Sequence, residues 1–124
     1  MPRPRMTLWG VVLDCPDAQE LASFYERLLG WAREQDEPGW AKLRSPDAST
    51  GLSFQSEPAY QRPSWPTQPP EQQMMIHLDF RVDDLERAVE HALAAGAVLA
   101  EFQPQDDVRV CFDPVGHPFC LFEN

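Results

Sequence analysis

The segment HLDFRVDDLERAVEHALAAGA, residues 77–97, changes its period in the middle. Leu78, Phe80 and Val82, with Ile76 just ahead of them, alternate with His77, Asp79 and Arg81, which is the pattern of a half-buried strand. From Leu85 onward the apolar residues Ala88, Val89, Ala92 and Leu93 recur at helical spacing, giving a helix of about three turns. Asp83, three residues ahead of Glu86, has the form of a capping box with an acidic cap. Gly96 stands where a left-handed helix stop belongs. The segment therefore reads as a strand that feeds directly into an amphipathic helix.

The same switch occurs once more upstream. GVVLDCPD (10–17) is a strand ending in an acidic helix start, and Leu21, Phe24, Tyr25, Leu28 and Leu29 follow at helical spacing. Asp17 with Glu20 and then Gly30 repeat the start and stop signals. Asp17 and Asp84 are 84 − 17 = 67 residues apart, and Gly30 and Gly96 are 96 − 30 = 66 apart. A one-residue difference in the helix region accounts for that. Each helix is followed by three short strand candidates: 31–36, 39–44 and 51–56 in the first copy, and 97–103, 107–113 and 118–123 in the second. The chain reads as one α+β domain over residues 1–124, built from two tandem βαβββ modules (7–56 and 74–123) that form a curved mixed sheet. Between them, residues 57–73 carry five prolines and read as an extended spacer of polyproline character, pinned by Trp65.

Composition narrows the function. The 124 residues include 10 Lys and Arg against 20 Asp and Glu, a net charge of −10, which argues against nucleic acid and against anionic membranes. No apolar run is long enough to span a bilayer. Arg3 and Arg5 precede the short run Leu8–Leu13, but Asp14 ends it and no cleavage site follows, so it reads as a strand. Cys15, Cys111 and Cys120 are too few and too scattered for a secreted disulfide framework, which makes the cytoplasm the expected compartment. Lys42 is the only lysine beside nine arginines, a compositional bias to which the sequence attaches no chemistry.

Strand alternation assigns the faces. Phe119 and Leu121 point to the core, leaving Cys120 and Phe122 on the opposite face. Leu52 and Phe54 point inward, and Ser53 and Gln55 away. The expected polar face thus holds His77, Asp79, Arg81, Cys120 and Gln55. Asp79 lies two residues beyond His77, about 6–7 Å along the strand, which reads as too far for both to share a ligand. Asp79 and Arg81 are expected to pair with each other or with neighbours at the rim of a cavity, or Arg81 to hold an anionic ligand; His77 reads as a metal ligand or general base, or as a cavity-lining residue hydrogen-bonded to Asp79, Gln55 or the backbone. If Asp113–Pro118 is a tight turn, Cys111 and Cys120 oppose each other on neighbouring strands, and with His77 they make a zinc-like donor set. His91 and His117 read as helix-surface and turn residues, and Cys15 as packing.

The two helix segments, DAQELASFYERLLGW and HLDFRVDDLERAVEHALAAGA, with the closing FDPVGHPFCLFE and the stretch PSWPTQPP, resemble the vicinal oxygen chelate superfamily in its glyoxalase-like branch. The resemblance implies the glyoxalase/bleomycin resistance/dihydroxybiphenyl dioxygenase-like fold. It also implies, in the metal-dependent members, one metal ligand from the first and one from the last strand of each module. Carried onto this chain, those positions are Gly10 (or Val11, if the alignment slips by one), Gln55, His77 and Cys120. The expectation is a cytoplasmic homodimer that binds a small organic ligand in a cavity between modules, through His77, Gln55, Cys120, Asp79, Arg81 and Phe122. No tightly bound metal is expected; Zn, Mn, Fe or Ni would engage His77, Gln55, Cys120 and Cys111. The alternatives are a metal-dependent lyase, isomerase or dioxygenase using His77 and Gln55, and a structural or regulatory module.

Overall fold

A computed structural model of the chain describes residues 2–123. The chain divides after Pro58 into two compact units. Each is a four-stranded mixed sheet with one helix, in the order strand–helix–strand–strand–strand.

In the first unit, β1 (Gly10–Cys15) leads into α1 (Ala18–Leu29), and β2 (Ala32–Glu37), β3 (Trp40–Arg44) and β4 (Gly51–Ser56) follow. The sheet order is β1-β4-β3-β2, with β1 and β4 parallel and the other pairs antiparallel. The Asp17 carboxylate accepts from the Gln19 and Glu20 amides at 3.0 and 3.3 Å, satisfying two donors that the first turn leaves without partners. Gly30 closes the helix at φ 71°, a conformation that costs a residue with a Cβ. The apolar stripe of α1 lies on Leu13, Leu43, Leu52 and Phe54; Phe24 and Tyr25 are fully buried, and Tyr25 stacks on Phe54 with ring centroids 5.4 Å apart. Leu8, read as part of the first strand, lies outside it and is 69% exposed.

The second unit repeats the plan with β5 (Leu78–Arg81), α2 (Leu85–Ala95), β6 (Val98–Leu99), β7 (Val108–Phe112) and β8 (Pro118–Phe122), in sheet order β5-β8-β7-β6. Three expectations change here and one holds. Asp84, rather than Asp83, is the helix cap and accepts from the Arg87 amide. α2 spans 11 residues against 12 in α1, which is the one-residue difference between the copies. Ala92 and Ala95 form the buried stripe, while Leu93 is 43% exposed and Ile76, ahead of β5, is 55% exposed. The strand expected over 97–103 is two residues long. The Gln103 side chain takes over beyond it: its amide donates to the Ala100 and Val110 carbonyls and its oxygen accepts from the Val110 amide. Those bonds do the work of a continued ladder.

The proline-rich stretch is not an extended spacer. Ser64 bridges to Gln73 and its amide donates to the Gln72 carbonyl at 2.7 Å, so the segment folds back on itself. Trp65 packs against Phe102 and Phe112 at 5.9 and 6.3 Å. Tyr60 donates to the Val115 carbonyl. Beneath it the turn between β7 and β8 is built around Asp113. This carboxylate is fully buried and accepts from the Val115 and His117 amides, with His117 Nδ1 2.7 Å away. His117 is thus a partner of the turn carboxylate.

Candidate functional site

On the second unit, the sheet face opposite α2 gathers three groups of different chemistry. β5 and β8 are parallel, and Asp79 sits directly across from Cys120. His77 lies one residue before the strand and turns back, so that its Nε2 is 3.2 Å from the Asp79 carboxylate. One donor atom from each of His77, Asp79 and Cys120 falls within 4.8 Å of the others. The His77 and Asp79 side chains meet although the spacing along a strand predicted a separation of about 6–7 Å; His77 lies just ahead of β5, which begins at Leu78. Of the partners expected for His77, Asp79 is the one it meets. Arg81 and Phe122 form the next cross-strand pair along this face.

Burial, then the negative charge of Asp79 and the thiol's hydrogen bond to it, push the Cys120 thiol up from 9.0 to about 11. At neutral pH the thiol keeps its proton and donates a hydrogen bond to the Asp79 carboxylate. Cys111 is not part of the cluster. The register pairs Val110 with Cys120 and Cys111 with Phe119, so Cys111 points to the buried face, where burial and then the charge of Cys120 hold it near 11. The turn is one residue different from the tight form expected, and a shift of one residue moves a side chain to the other face.

The internal repeat corrects a second assignment. β1–β4 pairs Val12 with Ser53, and β5–β8 pairs Asp79 with Cys120; both members differ by 67 (79 − 12, 120 − 53). Ser53 therefore corresponds to Cys120, Gln55 to Phe122 and Gly10 to His77. Ser53, read as pointing away from the core, is 3% exposed. Lys42 is its cross-strand neighbour, 4% exposed, with its ammonium 3.1 Å from Glu34 and 3.9 Å from the centre of the Trp9 ring. Gln55 is exposed, between Asp14 and Trp40.

A hard divalent ion does not fit these residues. The second unit offers one carboxylate, one imidazole and one protonated thiol, and the matching positions of the first hold Gly10, Val12 and Ser53. Zinc fits the donor set in kind. Bonds of about 2.0–2.3 Å would place tetrahedral donors roughly 3.3–3.8 Å apart, within a small adjustment of the observed cluster.

A family described as glyoxalase-like domain matches residues 10–122. Among solved structures, the chain is similar to a glyoxalase/bleomycin resistance protein/dioxygenase family enzyme from Burkholderia phytofirmans PsJN (TM-score 0.74, 21% identity, covering 95% of this chain and 98% of that one). It is also similar to a glyoxalase-related enzyme from Fulvimarina pelagi (TM-score 0.68, 18% identity, 97% and 89% covered). A third likeness is to lactoylglutathione lyase from Agrobacterium tumefaciens (TM-score 0.64, 14% identity, 98% and 96% covered). At these identities the likeness establishes the fold alone. The search of curated proteins gave no significant match.

Proposed function

This chain belongs to the glyoxalase-like domain family of the vicinal oxygen chelate superfamily, and on that premise we propose that it binds a small organic molecule without a tightly held metal. The ligand sits on the second unit's polar face. The observation that carries this reading is the His77–Asp79–Cys120 cluster, where imidazole, carboxylate and thiol converge within 4.8 Å and His77 and Asp79 stay exposed. A ligand oxygen or nitrogen meets both a donor and an acceptor there, and Phe122 offers an apolar wall one residue pair further along. Arg81, the cross-strand partner of Phe122, orients any acidic group. The protein acts as a cytoplasmic homodimer. No helix among the described residues is long and apolar enough to cross a membrane.

A second reading, a zinc-dependent lyase or isomerase, has the same cluster in its favour. Zinc would be held by His77, Asp79 and Cys120, with Asp79 in the place the sequence gave to Cys111, and would supply a Lewis acid with an open position. Native mass spectrometry of protein purified without chelator separates the two. The expected result is an organic adduct, lost in His77→Ala and in Asp79→Asn. A stoichiometric zinc adduct lost in Cys120→Ser, with no organic adduct, would replace the first reading by the second.

A further inference from the structure

The first unit carries a polar device that the cluster on the second does not use. Ala41 and Leu43 of β3 are fully buried under α1, so Lys42 between them projects from the opposite face of the sheet. Its stem crosses Gly51, where an added Cβ would come within 3.0 Å of Lys42 Cε. Its ammonium meets one oxygen of Glu34 and the face of the Trp9 indole.

Glu34 is aimed by a bulge. β2 pairs Arg33 with Leu43 and Gln35 with Lys42, leaving Glu34 as the extra residue. Bulges of this kind re-aim a side chain and are common beside functional sites. Lys42 is also the chain's only lysine beside nine arginines. Burying an ammonium is costly even when it is paired, and an apolar side chain would serve the sheet at least as well. The compact ammonium has three donors, of which Glu34 engages one and an aromatic face covers another.

Trp9 is a loose cover. Its backbone is fixed, since the Trp9 carbonyl accepts from the Gly51 amide and the Leu8 carbonyl from the Thr50 hydroxyl, both at 3.0 Å. The residue is nonetheless 70% exposed, and its ring lies over the ammonium at 3.9 Å. Trp40 and Gln35 lie on the same face and hydrogen-bond to each other, adding a second ring beside the ion pair.

We infer that Lys42 is a binding residue, whose ammonium donates to the conjugated carbonyl oxygen of a flat, uncharged organic ligand that takes the place of the Trp9 ring. The Lys42–Glu34 pair is neutral as a whole and the chain carries a net charge of −10, so an uncharged acceptor suits the position better than an anion. The inference rests on the small-molecule reading for the kind of ligand, but on different residues.

The single lysine gives the test a clean signal. Protein grown with isotope-labelled lysine shows one side-chain ε resonance in a carbon–proton correlation spectrum. Ring current from Trp9 should move it upfield of free lysine, and Trp9→Ala should return it. Benzamide is the probe. The expected result is a saturable downfield movement as the ring lifts, with binding about tenfold or more weaker in Lys42→Met by saturation transfer, the loss of one hydrogen bond to a charged donor. Glu34→Gln, which takes the carboxylate from the buried ammonium, should shift the unliganded resonance. An unmoved resonance, or equal binding to Lys42→Met, overturns the inference. Benzoate binding more tightly than benzamide overturns the uncharged ligand. If benzamide moves labelled His77 but leaves Lys42 still, the inference fails while the proposed function stands.

Discussion

Replacing Asp79 by Asn tests the electrostatics of the cluster directly. The Cys120 thiol stands near 11 instead of 9.0, with burial the largest cause and the Asp79 charge and hydrogen bond following. Two units reduce the thiolate at a given pH about a hundredfold. A more basic thiolate is also a better nucleophile, which restores about six- to tenfold of that rate. Cys120 should therefore alkylate roughly ten- to fifteenfold more slowly than an unhindered thiol at the same pH. Removing a negative neighbour favours the thiolate, so Asp79→Asn lowers the pKa, but burial remains. The expected acceleration is about two- to fivefold at pH 8, with the pH–rate curve levelling off earlier than in the parent protein. Iodoacetamide labelling followed by peptide mass mapping reads this at one site, because Cys15 and Cys111 are fully buried. Cys120→Ala should abolish the fast label. Alkylation of the parent at the free-cysteine rate, or an unchanged curve in Asp79→Asn, would refute the reasoning.

Asp113→Asn removes the charge from a fully buried carboxylate that three groups of its own turn surround. The expected loss in urea unfolding is about 2–4 kcal/mol, and a loss below 1 would mean that the turn does not depend on the charge. Elemental analysis should find no stoichiometric Mn, Fe or Ni, since one carboxylate and one imidazole make a weak site for a hard ion; near-stoichiometric metal lost in His77→Ala would count against the metal-free reading. Light scattering should report a dimer, the state in which exposed Leu93, Val98 and Leu99 can be covered, and a monomer at micromolar concentration would reject that assembly.

The fold was legible because its signals are local. A change from period two to helical spacing, an acidic cap and a glycine stop can each be read within a few residues, and each occurs twice in this chain. Leu93 shows the limit of such signals. It lies close to the apolar stripe by spacing alone, but Ala92 and Ala95 let α2 approach β6 and β8 along a line that leaves it outside. Gln103 shows another limit. The sequence offers seven strand-like residues after α2, and nothing local reveals that one amide side chain will satisfy the backbone groups around it.

The site was less legible because it depends on register, and register is set by turns. Placing Cys111 opposite Cys120 required one geometry for the Asp113–Pro118 turn. Asp113 instead organises a turn in which its amide donates to the His117 carbonyl, and the pairing moves by one residue. That single step sends Cys111 into the core and leaves Cys120 with Asp79 and His77. Lys42 was overlooked for the opposite reason. Its scarcity was visible in the composition, but a lone lysine acquires meaning only from what surrounds it. Here that surrounding is a bulged glutamate, a glycine without a Cβ, and an indole delivered by the segment ahead of β1. Trp9 is far from it in sequence, Gly51 comes from the next strand, and Glu34 reaches it only because the ladder carries one residue too many. A residue whose partners are all supplied by pairing irregularities and turns is therefore invisible to period and spacing, whatever its importance to the ligand.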